Sequence, residues 1–313
     1  MTFRGSRGVD CRGSGRWSPN IMLRNDRSGA ELQLGTTAAM NIHVKFWGVR
    51  GSIACPGPGT VRYGGNTPCL EVRCGKHTII LDGGTGLRPY GDAFLKSGAL
   101  LDADLFLSHC HLDHVGGLPF FTPLFAPKHK LRIWSGNLPA DLPLKSALRT
   151  MMSPPLFPID VESFRAEIEY HDFKPGTVMN PREGIVLKSA MLNHPGNAVG
   201  YRLEYGGKVL VYMTDTELPA GKIDPRQLAL AANADLLVFD CTYTESEIAS
   251  RRGWGHSTWQ DGVRFANEAK VRKLCMFHHD PSHDDNMMEA IEKQAAGARP
   301  GTIAAKEGLA IEL

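Results

Sequence analysis

Between Ser108 and His114 the chain reads Ser-His-Cys-His-Leu-Asp-His, with four potential metal ligands directly after the apolar run Leu105-Phe106-Leu107. In an extended segment side chains at i and i+2 share a face, so His109 and His111 can grip one ion. The turn that follows can aim Asp113 and His114 at a second. A closed ion site needs further ligands from distant parts of the chain, which favours a fold that gathers several strand ends at one rim.

Three later positions offer such ligands. His194 follows the run Ile185-Val186-Leu187 and precedes Pro195-Gly196, the mark of a loop at a strand's end; it suits a third nitrogen for the first ion. Asp215 comes after the β-branched run Lys208-Val209-Leu210-Val211, which should end a buried strand and present a carboxylate able to bridge two ions. His279, after Lys273-Leu274-Cys275, could complete the second ion, with His278 and His283 as competing choices.

The order His-x-His-x-Asp-His, then His, Asp and His, each after a strand-like run, resembles the metallo-β-lactamase fold superfamily of binuclear hydrolases. The resemblance runs from about Asn41 to the C-terminus. It implies an αββα sandwich of two mixed β-sheets flanked by helices, an α/β protein. It also implies two divalent ions, with zinc the first choice and manganese or iron alternatives. His109, His111 and His194 would hold one ion and Asp113, His114 and His279 the other, with Asp215 between them and Asp113 counted also among the catalytic groups.

Gly255-His256-Ser257-Thr258, opening a helix-like stretch, resembles the His-Ser-Thr motif of the ribonuclease Z branch and its cyclic-nucleotide phosphodiesterase relatives. Phe239-Asp240-Cys241-Thr242 resembles the acidic-x-Thr segment of the same branch. The resemblance makes His256 the acid and Asp240 the group that orients it. Chemistry independently asks for such a pair: hydrolysis of a phosphodiester expels an alkoxide, a poor leaving group unless protonated or coordinated as its bond breaks. Ser257 or Thr258 can at the same time cap the helix.

Two glycine-rich stretches lack the lysine and spacing of a nucleotide-binding loop. Leu81-Asp82-Gly83-Gly84-Thr85-Gly86 resembles the Asp-x-Gly-x-Gly turn that supports the metal loops in the superfamily, which makes Asp82 structural. Trp47–Ser52 and Tyr63–Thr67 resemble segments of a bacterial subgroup. Asn66 and Thr67 could donate hydrogen bonds to a phosphate, or could pack a loop.

Strand-like runs near 42–47, 68–73, 77–82, 104–108, 131–135, 185–193, 198–204, 208–214, 236–240 and 273–277 alternate with helical stretches near 87–97, 114–125, 143–152, 225–232, 256–270 and 285–297. That alternation indicates a layered α/β domain over 41–313. Residues 1–40 differ, with six Arg, no Lys, six Gly and no sustained apolar period, and are expected to be a disordered leader. The leader carries +3 (six Arg against three acids) of a total of +2, so the rest is near −1 and is no polyanion binder by bulk charge. Seven cysteines at scattered spacings form no zinc-finger pattern and fit a reducing cytoplasm. No stretch is long enough to span a membrane.

The leading expectation is a metal-dependent phosphodiesterase acting on a small phosphodiester such as a 3′,5′-cyclic nucleotide through a hydroxide bridging the ions; a homodimer is compatible with it. The alternative is a tRNA 3′-processing endonuclease of the ribonuclease Z type, or hydrolysis of another ester or a lactam on the same scaffold. Against tRNA, Pro119 to Val186 is rich in proline and apolar residues and reads as a packed lid over the site, not the protruding basic arm that grips tRNA. Oxygen-reducing di-iron members carry Glu where this chain has His111, and a scaffold without catalysis would not keep every ligand position filled.

Overall fold

The computed structural model describes residues 41–219 and 222–313, so the expected leader at 1–40 lies outside the described residues. Fourteen strands form two seven-stranded sheets. The first contains β1 (Ile42–Gly48), β2 (Cys69–Cys74), β3 (His77–Leu81), β4 (Asp102–Leu107), β5 (Lys130–Ser135), β6 (Glu167–Asp172) and, beside β1, the C-terminal β14 (Ala310–Glu312). The second contains β7 (Val178–Met179), β8 (Val186–Leu192), β9 (Ala198–Tyr205), β10 (Lys208–Met213), β11 (Leu236–Asp240), β12 (Lys273–Phe277) and β13 (Ile303–Ala304). Both sheets follow one plan: neighbours pair antiparallel as far as β3 and β10, and parallel beyond them.

Alternation along each strand builds the layers. Ile42, Val44 and Phe46 of β1, Phe106 of β4, Leu210 and Tyr212 of β10, Val238 of β11 and Phe277 of β12 meet in a core between the sheets. The residues between them point outward, where water would meet them unless helices covered the sheet. Val211, Leu237, Phe239, Leu274 and Met276 pack on α4 (Trp259–Glu268) and α5 (Asp285–Ala298) through Phe265, Ala266, Met288 and Ile291. Leu105 and Leu107 pack outward against Leu87 and Tyr90 of α1 (Leu87–Lys96) and Leu144 and Leu148 of α3 (Leu144–Met151). The expected αββα sandwich is therefore the fold.

Two expectations are corrected. The helix near 114–125 is one turn, α2 (Leu112–Val115), followed by two 3₁₀ turns at Leu118–Phe120 and Thr122–Phe125. Gly116-Gly117 weakens helix continuation, and Pro119 and Pro123 cannot supply the amide donors that it needs. Pro119–Val186 is not a lid: it supplies β5, α3, β6 and β7, extending both sheets, and none of it lines the cleft described next.

Candidate metal centre and acid site

The functional side chains stand on loops after the carboxyl ends of β4, β8, β10, β11 and β12, where an α/β sheet leaves a crevice. A cleft of about 320 Å³ there is lined by Ser52, His111, Leu112, Asp113, His194, Asp215 and His256.

His109, His111 and His194 bring one ligand nitrogen each within 4.8 Å of one another. His194 Nδ1 lies 3.0 Å from the Gly255 carbonyl, which fixes its N–H there and turns the Nε2 lone pair toward His111 Nδ1, 3.1 Å away. Buried His109 Nε2 has no hydrogen-bond partner among the described residues and lies 3.8 Å from Asp215 Oδ1. Such an orphaned buried nitrogen is costly unless something outside the protein takes its lone pair.

A second group holds Asp113, His114, Asp215 and His278. His114 Nε2, also buried without a hydrogen bond, is 3.2 Å from Asp113 Oδ2 and 3.3 Å from Asp215 Oδ2. His278 Nε2 is 3.3 Å from each of the same two oxygens. Asp215 thus lies against both groups, Oδ1 toward His109 and Oδ2 toward His114 and His278. Its φ of 55° and that of 62° at His278 are left-handed, a conformation a non-glycine residue adopts at some cost where the surroundings enforce it.

The electrostatics suit cations. Burial alone would push the Asp215 carboxyl up, but His278, His114 and His109 hold it well below the usual range. Burial disfavours charge on His114, yet Asp113, Asp215 and Asp82 outweigh it and hold the imidazole's pKa well above its ordinary value. Two convergent carboxylates and unpaired imidazole nitrogens are the donor set of a divalent ion with mixed N/O ligation.

Asp82 has the supporting role expected of it. Its carboxylate accepts from the Ser108 amide (2.6 Å) and hydroxyl (2.8 Å) and from Tyr212 Oη (2.7 Å), and lies 2.8 Å from His114 Nδ1. That contact fixes the ring so that Nε2 faces the cluster.

The expectation for His279 is corrected to His278. The His279 ring turns away, with Nε2 2.9 Å from the Ala305 carbonyl and its edge against Tyr63. Burial, reinforced by Arg50, pulls its pKa down to about 3, so it is a neutral packed group. His283 is also elsewhere, with Nε2 2.9 Å from Glu247 Oε1.

His256 stands beside both groups, with a ring nitrogen within 4.8 Å of ligand atoms of His194 and Asp215 and likewise of Asp240 and His278. Its Nδ1 is 2.8 Å from Asp240 Oδ2, and its ring lies 5.2 Å from that of His194. Burial pulls its pKa down, but Asp240 outweighs this and holds it up at about 9. Of the two expected caps it is Thr258 that caps α4, accepting from the Asp261 amide.

Asn66 and Thr67 do not face the cleft. Asn66 is tied to Glu307 through its amide and side chain, and its carbonyl accepts from Val49 and Arg50. Thr67 Oγ1 accepts from the Thr85 amide. They brace a loop, so the suggested phosphate contact is withdrawn. Sequence reasoning missed Ser52, whose amide donates to Asp113 Oδ2 at 2.8 Å. Its neighbour Gly51 is the signal: a Cβ there would stand 2.3 Å from His278 Nδ1.

Among the described residues no helix is long and apolar enough to cross a membrane. Residues 77–279 match the Beta-lactamase superfamily domain. A ribonuclease Z of Brevibacillus brevis is 36% identical over 102 residues, which span 31% of this chain and only 30% of that protein. A ribonuclease Z of Gemmatimonas aurantiaca is 24% identical over 288 residues, 75% of this chain and 87% of the relative. The crystal structure of a diphosphatase from the PhnP family superposes with a TM-score of 0.64 at 17% identity, covering 88% of this chain and 98% of that one. Because the family match at residues 77–279 takes in more than half of the chain, the chain belongs to the beta-lactamase superfamily, and with the fold and donor set above it is a metal-dependent hydrolase of metallo-β-lactamase fold.

Proposed function

We propose that the protein is a phosphodiesterase acting on a small phosphodiester, a 3′,5′-cyclic nucleotide being the leading substrate class. In this reading His109, His111 and His194 hold one divalent ion and Asp113, His114 and His278 the other, with Asp215 between them and zinc the metal. The ions, when bound, supply Lewis acidity toward a phosphoryl oxygen and toward water. His256 gives its proton to the departing oxygen. Asp240, on the other ring nitrogen, keeps the imidazole in the right tautomer and stabilises its cationic form.

The observation that carries the proposal is the 2.8 Å contact between His256 Nδ1 and Asp240 Oδ2 at the wall of the cleft. Lactam or thioester hydrolysis would leave that pair without a task. A second reading, cleavage of precursor tRNA, is favoured by the ribonuclease Z relatives. Weighing against it, the segment between β4 and β8 supplies β5, β6, β7 and α3 to the two sheets and the outer core, packing through Leu124, Leu131, Ile133, Leu144 and Leu148.

The test is hydrolysis of bis-p-nitrophenyl phosphate, 3′,5′-cyclic nucleotides and precursor tRNA by zinc-loaded protein. Turnover of the first two with tRNA untouched is the expected result. Cleavage of tRNA with cyclic nucleotides untouched would replace the first reading by the second, and no turnover of any diester would remove both.

A further inference from the structure

Beside the catalytic cleft lies a larger groove of about 630 Å³ that the chemistry above leaves unused. Its walls are the loop after β5, the turn after β6 and the loop after β8, so it opens on the same rim as the metal loops. The two meet at Gly196: a Cβ on this lining residue would stand 3.5 Å from His111 Nε2. A molecule whose phosphate sits in the cleft can therefore extend into the groove.

The lining has the chemistry of a base pocket. Phe173 is half-buried and lies so close over Gly136 that a Cβ there would stand 2.5 Å from the ring, which keeps the aromatic group in one place. Leu138 and Leu142 complete an apolar wall. Asn137 is 7% exposed, and its Oδ1 accepts from Ser135 Oγ at 2.9 Å. With Oδ1 engaged there, the Nδ2 donors are left for a ligand. Asp172 uses Oδ1 to accept from the Leu144 amide, leaving Oδ2 as an acceptor. The exposed Lys174 makes no ion pair among the described residues and adds a cation at the rim.

We infer that this groove is the nucleoside subsite of the enzyme, taking an amino-bearing base against Phe173 with Asn137 and Asp172 reading its edge. A flat base stacks on an aromatic face whatever its identity. An Asn donor beside a carboxylate acceptor complements a base that offers a ring nitrogen and an exocyclic amino group. The inference rests on the phosphodiesterase reading for its phosphate, and it adds where the base sits and which kind it is, one bearing an exocyclic amino group.

The test is calorimetric binding of AMP and of ribose 5-phosphate to the zinc-loaded protein, to Asn137→Ala and to Lys174→Ala. AMP should bind at least tenfold more tightly than ribose 5-phosphate, and Asn137→Ala should erase most of that difference. Lys174→Ala, on the surface, should weaken AMP severalfold. Should Asn137→Ala not fold, photolabelling of the unmodified protein with 8-azido-AMP replaces it, with the label expected within 135–143 or 172–175. Equal binding of the two ligands, or a label confined elsewhere, would overturn the subsite. Hydrolysis of bis-p-nitrophenyl phosphate, which carries no base, separately decides the phosphodiesterase reading.

Discussion

The imidazole of His256 stacks on that of His278, with centroids 4.8 Å apart and planes 21° from parallel. One short network joins them. Thr242 Oγ1 donates to Asp240 Oδ1 at 2.7 Å and lies 3.0 Å from His278 Nδ1, while Asp240 Oδ2 is 2.8 Å from His256 Nδ1. The proposed acid and a proposed metal ligand are thus positioned by the same carboxylate and hydroxyl, so distortion of either should be felt by the other.

His278 and His279 should separate cleanly on substitution. His278→Ala is expected to lower the bound metal from two ions per chain toward one and to abolish turnover. His279→Ala should keep both ions and lose about 1–3 kcal/mol of stability, because it empties a buried, hydrogen-bonded position. Elemental analysis with denaturant unfolding checks both; metal loss from His279→Ala instead would restore the original assignment.

Two glycines should behave as metal-site residues although they carry no ligand. At Gly255, φ is 88° and a Cβ would stand 2.3 Å from His194 Nδ1; at Gly51 one would stand 2.3 Å from His278 Nδ1. Gly255→Ala is expected to weaken the first ion and Gly51→Ala the second, by roughly tenfold or more, the scale at which displaced ligand orientation is felt. Competition with a zinc chelator measures this, and unchanged affinity in both would show that the loops yield freely.

Asp240→Asn should shift the pH profile. The carboxylate holds His256 at about 9, so the acid form persists well above neutrality. With a neutral amide the pKa falls, and the basic limb of kcat/KM should move to lower pH. The stability linkage has the same sign: a folded pKa above the unfolded one contributes stability that is full below about 6.5 and lost as pH rises through about 9. A basic limb that stays in place would detach His256 from the proton step.

Asp215→Asn should leave the fold largely intact while reducing both ions and collapsing activity, since the amide cannot serve two cations as an anion. Circular dichroism and metal content decide it, and full stoichiometry with full activity would take Asp215 out of the site.

The central strands were legible because their apolar runs are buried on both faces: all five residues of β11 are buried. Edge strands were not. β6, Glu-Ile-Glu-Tyr-His-Asp, has no fully buried residue, and β13 and β14 span two and three residues. The candidate ligands His109, His111, Asp113 and His114 could be read because they lie close together in sequence. Whether His278 or His279 faces the cluster of candidate ligands depends on a left-handed backbone at His278, and nothing in a histidine signals a positive φ. Asn66 and Thr67 look like phosphate donors in sequence, but partners distant in the chain, Glu307 and Thr85, already occupy them.

The account's central claim is that His256 protonates a poor leaving group while separate residues hold the metal. Its most direct test is the loss caused by His256→Ala on two diesters, one releasing an alkoxide and one releasing p-nitrophenolate, with metal content measured in the same samples. The account predicts a loss of roughly 10²–10⁴-fold for the alkoxide and a much smaller one for p-nitrophenolate, with both ions retained. Equal losses on the two substrates, or departure of an ion, would contradict it.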